Sequence, residues 1–354
     1  MSFIGFGAFF CFDTPGALQS EVKSSLNLTT SQFSSLYSCY SWPNLVLPVI
    51  GGFLIDSVFG LRLGTLIFSA FILLGQVLLG VGALHHSLWF MQVARLCFGV
   101  GGESLNMALN TYTVAWFRDR ELNMVFGFQL SISRVGSTVN FLLMEPLYSL
   151  LREDLDSVSA LGWAFISAAS LALISLLASL LLALMDRRRE RSELRPAEAG
   201  PEQNIRLADI REFPAAFWLL CLTTLAYYGS VFPFISLAQG LFKTEYDYSA
   251  QDANFIVGLV YLVSAISSPL FGLLLDRFGR NLAWMCGSLA VSGLAHGVLA
   301  FTSINPHLPI VSLGLAYSVL ASALWSLPAV IVRQSQLATA FGIMQVISWH
   351  CCAS

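Results

Sequence analysis

Gly52-Phe-Leu-Ile-Asp56, with Gly60 and Arg62 just beyond it, separates two long apolar runs. Gly272-Leu-Leu-Leu-Asp276-Arg277-Phe-Gly279-Arg280 separates two more, and both the glycine and the aspartate recur at an interval of 220 residues. A tight turn that returns once in each half of a chain implies two bundles related by duplication, an architecture that secondary transporters use to rock around a central site. The glycines allow helix and turn to approach closely. The aspartates are expected to cap a helix end or to pair with an arginine, which makes Asp56, Asp276 and Arg277 candidate gating or structural residues.

The surroundings of the two turns fix the class. Of 354 residues, 56% are hydrophobic and only 11% are charged, against about 25% charged in an average soluble domain. That excludes an ordinary soluble enzyme. Apolar runs at 33–55, 63–84, 88–117, 122–151, 161–185, 214–239, 253–275, 281–302 and 308–332 are each long enough to cross about 30 Å of hydrocarbon as a helix. These are nine complete crossings of an all-α polytopic membrane protein. Met1–Phe12 is expected to be the second half of a first span, and the run from Ala338 an unfinished eleventh. The net charge of −3 gives no reason to expect a nucleic-acid partner. The seven cysteines lie mostly in apolar stretches and suggest neither a disulfide frame nor a metal site.

Charge placement sets the topology. Thirteen of the 18 Lys and Arg fall in the loops around Arg62, Arg118/Arg120, Arg187 to Arg211, Arg277/Arg280 and Arg333, while the alternate loops hold Lys23, Arg152 and Lys243. The richer loops are therefore expected on the cytoplasmic side. The polar stretch 186–213 reads as a cytoplasmic linker between a six-helix bundle, 1–185, and a second, incomplete bundle, 214–354. Its Arg187, Arg188, Arg189 and Arg191 stop a span and face anionic headgroups. The Asn27-Leu-Thr29 sequon and the loop histidines His85, His86 and His307 are weak signals. No phosphate-binding loop is present, so transport is expected to be secondary or passive.

The repeated turns resemble the motif that the major facilitator superfamily places after its second and eighth spans. Arg95-x-x-x-Gly99-x-Gly101 is similar to that superfamily's pattern in the fourth span. Phe10-Cys-Phe-Asp13-Thr-Pro15-Gly-Ala-Leu-Gln19, Tyr40-Ser-Trp42-Pro43-Asn44, Phe98-Gly-Val-Gly-Gly-Glu103-Ser104, Asn110-Thr-Tyr112 and Ser133-Arg134-Val-Gly136-Ser-Thr-Val-Asn140 resemble its lysosomal dipeptide uniporters, from the first residue to about Gln345. The resemblance implies a two-bundle fold of twelve spans in full and a multi-pass lysosomal membrane protein. It also implies dipeptide export from lumen to cytosol by alternating access, no cofactor, and a heavily glycosylated single-span lysosomal protein as accessory subunit. The Glu-x-x-Glu-Arg stretch of proton-coupled peptide carriers is missing, which favours uniport. A carrier of single amino acids or other organic zwitterions is the alternative within the class. A truncated, transport-dead isoform that acts only through partner assembly is the alternative outside it.

Two arginines and two glutamates inside spans carry the candidate chemistry. Glu103 lies fifteen residues above Arg118 and Arg134 thirteen above Glu121, a difference of about 3 Å at 1.5 Å per residue. Each charge at a helix centre costs about 2.5–3.5 kcal/mol on insertion scales, so both are expected to face the bundle interior or a water-filled cavity. A buried structural pair is one reading. The other is that Glu103 takes the α-ammonium of a dipeptide while Arg134 grips its α-carboxylate through the planar guanidinium. Asn106, Asn110 and Asn140 are candidates for the peptide amide, and Tyr40, Trp42 and Trp325 for its side chains. Arg95 and Glu145 match in depth nearer the lumen and read as a structural or gating ion pair.

Overall fold

A computed structural model describes residues 1–117, 121–192, 207–248, 250–302 and 304–353. Arg118 and Arg120, and residues 193–206 of the expected linker, lie outside the described residues. The described chain is helical, with no strand. In order it forms α1 (Ser2–Ala17), α2 (Gln19–Ser25), α3 (Thr30–Asn44), α4 (Leu47–Leu54), α5 (Gly60–Leu84), α6 (Leu88–Phe117), α7 (Leu122–Leu151) and α8 (Ser157–Ser192). There follow α9 (Ala215–Glu245), α10 (Ala250–Phe278), α11 (Asn281–Phe301), α12 (His307–Ser326), α13 (Pro328–Ile331) and α14 (Leu337–Ala353).

Every expected crossing falls on helix. Run 33–55 is shared by α3 and α4, which break after Pro43 and Asn44, where a proline removes a helical donor. Thr29 opens α3 through a capping box with Gln32. Among the described residues, six stretches are both long and apolar enough to span by composition alone. Helices α6 and α7 are not among them. Gln92, Arg95, Glu103, Asn106 and Asn110 interrupt α6, while Gln129, Arg134, Asn140 and Glu145 interrupt α7, so the two long helices left out are those that carry Glu103 and Arg134.

Two compact units emerge. The first comprises Met1–Tyr112, Val135–Glu212 and Ser335–Trp349, and the second Thr113–Arg134, Phe213–Gln334 and His350–Ser354. In the first unit α8 packs against both α5 and α1. Polar groups there bond between helices: the Gln76 amide N–H donates to the Phe165 carbonyl at 3.1 Å, and Ser69 and Ser179 share a 2.7 Å hydrogen bond. Without water in the hydrocarbon, a helix–helix contact needs small residues and such bonds rather than more apolar area. In the second unit α12 lies between α10 and α11 and is buried from Ala316 to Ser326. The exposed apolar residues, among them Leu177, Leu180, Leu181 and Leu184 of α8, are what a bilayer-facing surface requires.

Candidate functional site

The repeated turn has the same construction in both copies. Asp56 follows α4, and Gly60, at φ +68°, turns the chain into α5. The Asp56 Oδ2 accepts from the Thr339 backbone N–H at 2.8 Å and from its Oγ1 at 2.7 Å, at the start of α14. Gly52 lies so close to Ala338 that a Cβ would collide with its carbonyl oxygen. In the second copy Asp276 accepts from the Asn123 N–H at 3.1 Å, the Asn123 side-chain amide at 2.7 Å and the Met124 N–H at 2.8 Å, at the start of α7. Gly272 leaves no room for a Cβ, which would stand 2.6 Å from the Asn123 carbonyl oxygen. Gly279, at φ +64°, makes the exit.

Each aspartate thus caps a helix that is distant in sequence. The first N–H groups of a helix have no internal partner and carry the positive end of its dipole, so a carboxylate is the matching group. Neither aspartate pairs with an arginine among the described residues. Arg62 bonds Asp186 at the end of α8 instead, at 2.5 Å, and Arg277 is exposed.

A second repeat accompanies the first. Leu122-x-x-x-Phe126-Gly127 opens α7 and Leu337-x-x-x-Phe341-Gly342 opens α14, 215 residues later. Gly127 abuts the Ser268 carbonyl and Gly342 the Pro48 carbonyl, each too tightly for a Cβ. Pro48 and Ser268 are themselves 220 apart. The turns and the helices they cap therefore repeat together.

In the first unit Glu103, only 3% exposed, is held from three helices. Tyr40 of α3 donates its hydroxyl to Oε1 at 2.7 Å, and Asn106, one turn along α6, donates to Oε2 at 3.1 Å. Gln345 of α14 also donates to Oε2. An ionised carboxylate offers about four lone-pair positions, and these donors fill three. Gln345 was not a sequence candidate, since a single amide in an apolar run 242 residues from Glu103 has nothing to mark it.

In the second unit Arg134 of α7 packs against α10 and α12. Its Nη1 donates to the hydroxyls of Ser264 and Ser268, and its guanidinium carbon stands 4.5 Å from the Tyr317 ring centroid. Ser318 in turn donates to the Ser264 hydroxyl at 3.0 Å. Tyr317 stacks on Tyr227 at 6.1 Å and meets Tyr228 edge-on at 6.2 Å. Trp325, an expected side-chain contact, donates its indole N–H to the Tyr228 hydroxyl at 3.1 Å and so braces this aromatic group.

The remaining candidates have different surroundings. Asn110 is buried on α6. Asn140 is fully buried and ties α7 to α1, donating to the Phe10 carbonyl at 2.8 Å and to Thr14 Oγ1 at 3.0 Å. Trp42 is 65% exposed, because two residues along a helix turn it about 200° away from Tyr40. The depth match of Arg95 and Glu145 produces no ion pair: Arg95 is completely buried and Glu145 exposed. Equal depth fixes height along two helices but not the direction each side chain faces. Arg95 instead donates to the Phe12 carbonyl at 3.2 Å, sits among four aromatic rings, and has Asp13 as an acid within electrostatic reach.

Paired capped turns in a polytopic helical chain, together with intramembrane charges held by neutral groups, define a membrane transporter built by duplication. Residues 1–351 match the Major Facilitator Superfamily, and the chain belongs to that family. It is similar to the lysosomal dipeptide transporter MFSD1 of Danio rerio, 45% identical over 349 residues that cover 98% of this chain and 76% of that protein. The protein of the same name from Homo sapiens is also 45% identical, with coverage of 98% and 75%. Among solved structures, the Major Facilitator Superfamily transporter FucP has a TM-score of 0.74 at 14% identity, covering 99% of this chain and 88% of that one. At that identity the likeness concerns the fold alone.

Proposed function

We propose that this chain is a carrier of the lysosomal membrane that moves dipeptides from lumen to cytosol by alternating access, without proton coupling. Glu103 receives the peptide's α-ammonium and Arg134 its α-carboxylate. The observation that carries this reading is the cradle of Glu103, in which three neutral donors hold a buried carboxylate and leave about one acceptor position for an N–H of an ammonium group. Arg134 rests on serine hydroxyls and a ring face. A carboxylate that met it with two parallel bonds would form contacts about twice as strong as neutral ones. The similarity to proteins named as lysosomal dipeptide transporters, sustained over 98% of the chain, supports the same substrate class.

Recognition of the two termini predicts broad tolerance of side chains between them. On this reading Asn106 and Asn110 bond the peptide amide, and Tyr40 and Trp325 frame the cavity wall. The bundles that rock around this site are 1–185 and 214–354, joined by 186–213, with the two capped turns setting the balance between outward-facing and inward-facing states. A glycosylated single-span accessory subunit completes the assembly, as the family resemblance implies, and co-purification from lysosomal membranes tests it. The transport reading is tested by counterflow of a radiolabelled dipeptide into proteoliposomes holding this chain. Exchange driven by unlabelled dipeptides of varied side chain, insensitive to a proton gradient, is expected. Exchange driven only by free amino acids would contradict it.

A further inference from the structure

Helix α6 carries the run Arg95-x-x-Phe98-Gly99-x-x-Gly102-Glu103, and every named member of it except Glu103 borders one residue, Tyr40, whose hydroxyl reaches Glu103 itself. Gly99 lies under the Tyr40 backbone, where a Cβ would stand 2.5 Å from the carbonyl oxygen. Gly102 lies under the ring, where a Cβ would stand 2.7 Å from the phenol oxygen and 3.0 Å from Cε2. Phe12 and Phe98 flank the ring at centroid distances of 4.7 and 5.9 Å. The Arg95 guanidinium carbon stands 5.3 Å from its centroid, and 5.1 to 5.4 Å from those of Tyr37, Phe12 and Phe98.

Arg95 makes little sense as an ordinary buried cation. It is completely buried, and its Nε and Nη1 have no hydrogen-bond partner among the described residues. Beside one bond to the Phe12 carbonyl and the nearby Asp13, the attraction of a desolvated guanidinium for aromatic faces, about 2 kcal/mol or more, helps hold it in a site where an arginine is otherwise expensive. The same attraction fixes the four rings around it. A cation over a phenol face draws electron density from the ring and makes its O–H a stronger donor, here toward a carboxylate.

We infer that this face of α6 is a seat for Tyr40, and that Arg95 and Gly102 are positioning residues which act through the Tyr40 hydroxyl to aim the Glu103 carboxylate at the ammonium group of the substrate. The inference rests on the assignment of Glu103 as the ammonium site. It gives the two glycines and the arginine a single purpose: the glycines make room, the cation and rings hold the angle, and the hydroxyl transmits it. Tyr40 is thereby a part of the binding machinery as well as of the cavity wall.

The test is a double-mutant cycle on dipeptide affinity, measured by competition against a radiolabelled dipeptide, with Glu103→Gln alongside. Gly102→Ala pushes the phenol oxygen off Glu103, and Tyr40→Phe deletes it. Each alone is expected to weaken binding about tenfold, and the double variant is expected to be no weaker than Tyr40→Phe alone. Losses that multiply would overturn the seat and leave Gly102 as a packing glycine. Should Gly102→Ala not fold, Phe12→Leu, which removes the ring 4.7 Å from Tyr40, takes its place in the same cycle. A Glu103→Gln variant that binds as tightly as the parent would instead mark failure of the ammonium assignment, whatever the cycle shows.

Discussion

Glu103 and Arg134 stand at similar expected depths and carry opposite charges, yet they are held in opposite ways. The carboxylate is gripped by donors from α3, α6 and α14 that use most of its capacity. The guanidinium lies across two hydroxyls and a ring, all of them neutral acceptors of modest strength. A carboxylate with most of its positions filled is preorganised: it changes little when a ligand arrives and admits one further donor. A guanidinium on hydroxyls is adaptable, because a ligand carboxylate displaces the serines with a gain in hydrogen-bond strength. On the proposed reading, the ammonium contact fixes the register of a peptide and the carboxylate contact accommodates its length.

Deleting one support from each charge sharpens that contrast. Gln345→Ala removes a bond that persists when substrate is bound, and dipeptide affinity is expected to fall about tenfold. Ser264→Ala removes a bond that substrate would displace, so affinity is expected to stay within about twofold of the parent or to tighten. Competition binding on both variants measures this, and equal losses would remove the distinction. A smaller effect is expected at the turns. Asp276→Asn keeps acceptor oxygen at the start of α7 but loses the charge that complements the helix dipole, worth about 0.3–1 kcal/mol. Turnover in counterflow should slow about threefold while affinity is unchanged, since the turn biases conformational states and does not touch substrate. Parallel loss of both would place Asp276 in the binding site.

The smallest effect concerns a carboxylate that is also ringed by donors, but in water. Asp156 precedes α8 and accepts from the Val158 and Ser159 N–H groups, each at 3.2 Å. Bonds from the Ser159 side chain and backbone hold it below the usual carboxylate range. Its contribution is therefore present above the unfolded pKa and fades as pH falls through the lowered folded value. Asp156→Ala should depress the melting temperature slightly at neutral pH, with the gap from the parent closing in strong acid. A gap that widened in acid would contradict the cap.

The legibility of these features in the sequence follows from their physics. The helices were readable because hydrocarbon thickness dictates run length, and the turns because glycine and aspartate are conspicuous between apolar runs. Glu103 and Arg134 stood out because a charge inside a span is rare. Gln345 stayed hidden because its meaning depends on what α14 packs against, and the Phe-Gly repeat because two residues are too few to notice without the carbonyls of Pro48 and Ser268 beside them. Arg95 was conspicuous but misdirected: a depth match ignores rotation about the helix axis, and the aromatic faces that surround it come from three helices. Trp42 shows the same effect of rotation, since it is exposed on the opposite side of α3 from the buried Tyr40.

The central claim is that the two charges read the two ends of a peptide, and capped ligands address it directly. Affinity of a free dipeptide, its N-acetylated form and its C-terminal amide would be measured on the parent, Glu103→Gln and Arg134→Ala. The free dipeptide should lose about ten- to a hundredfold in each variant, roughly 1.5–3 kcal/mol. The amide should already bind poorly to the parent and lose little more in Arg134→Ala, and the acetylated form should behave likewise with Glu103→Gln. Losses from cap and substitution that multiply would assign both charges to structure and contradict the account.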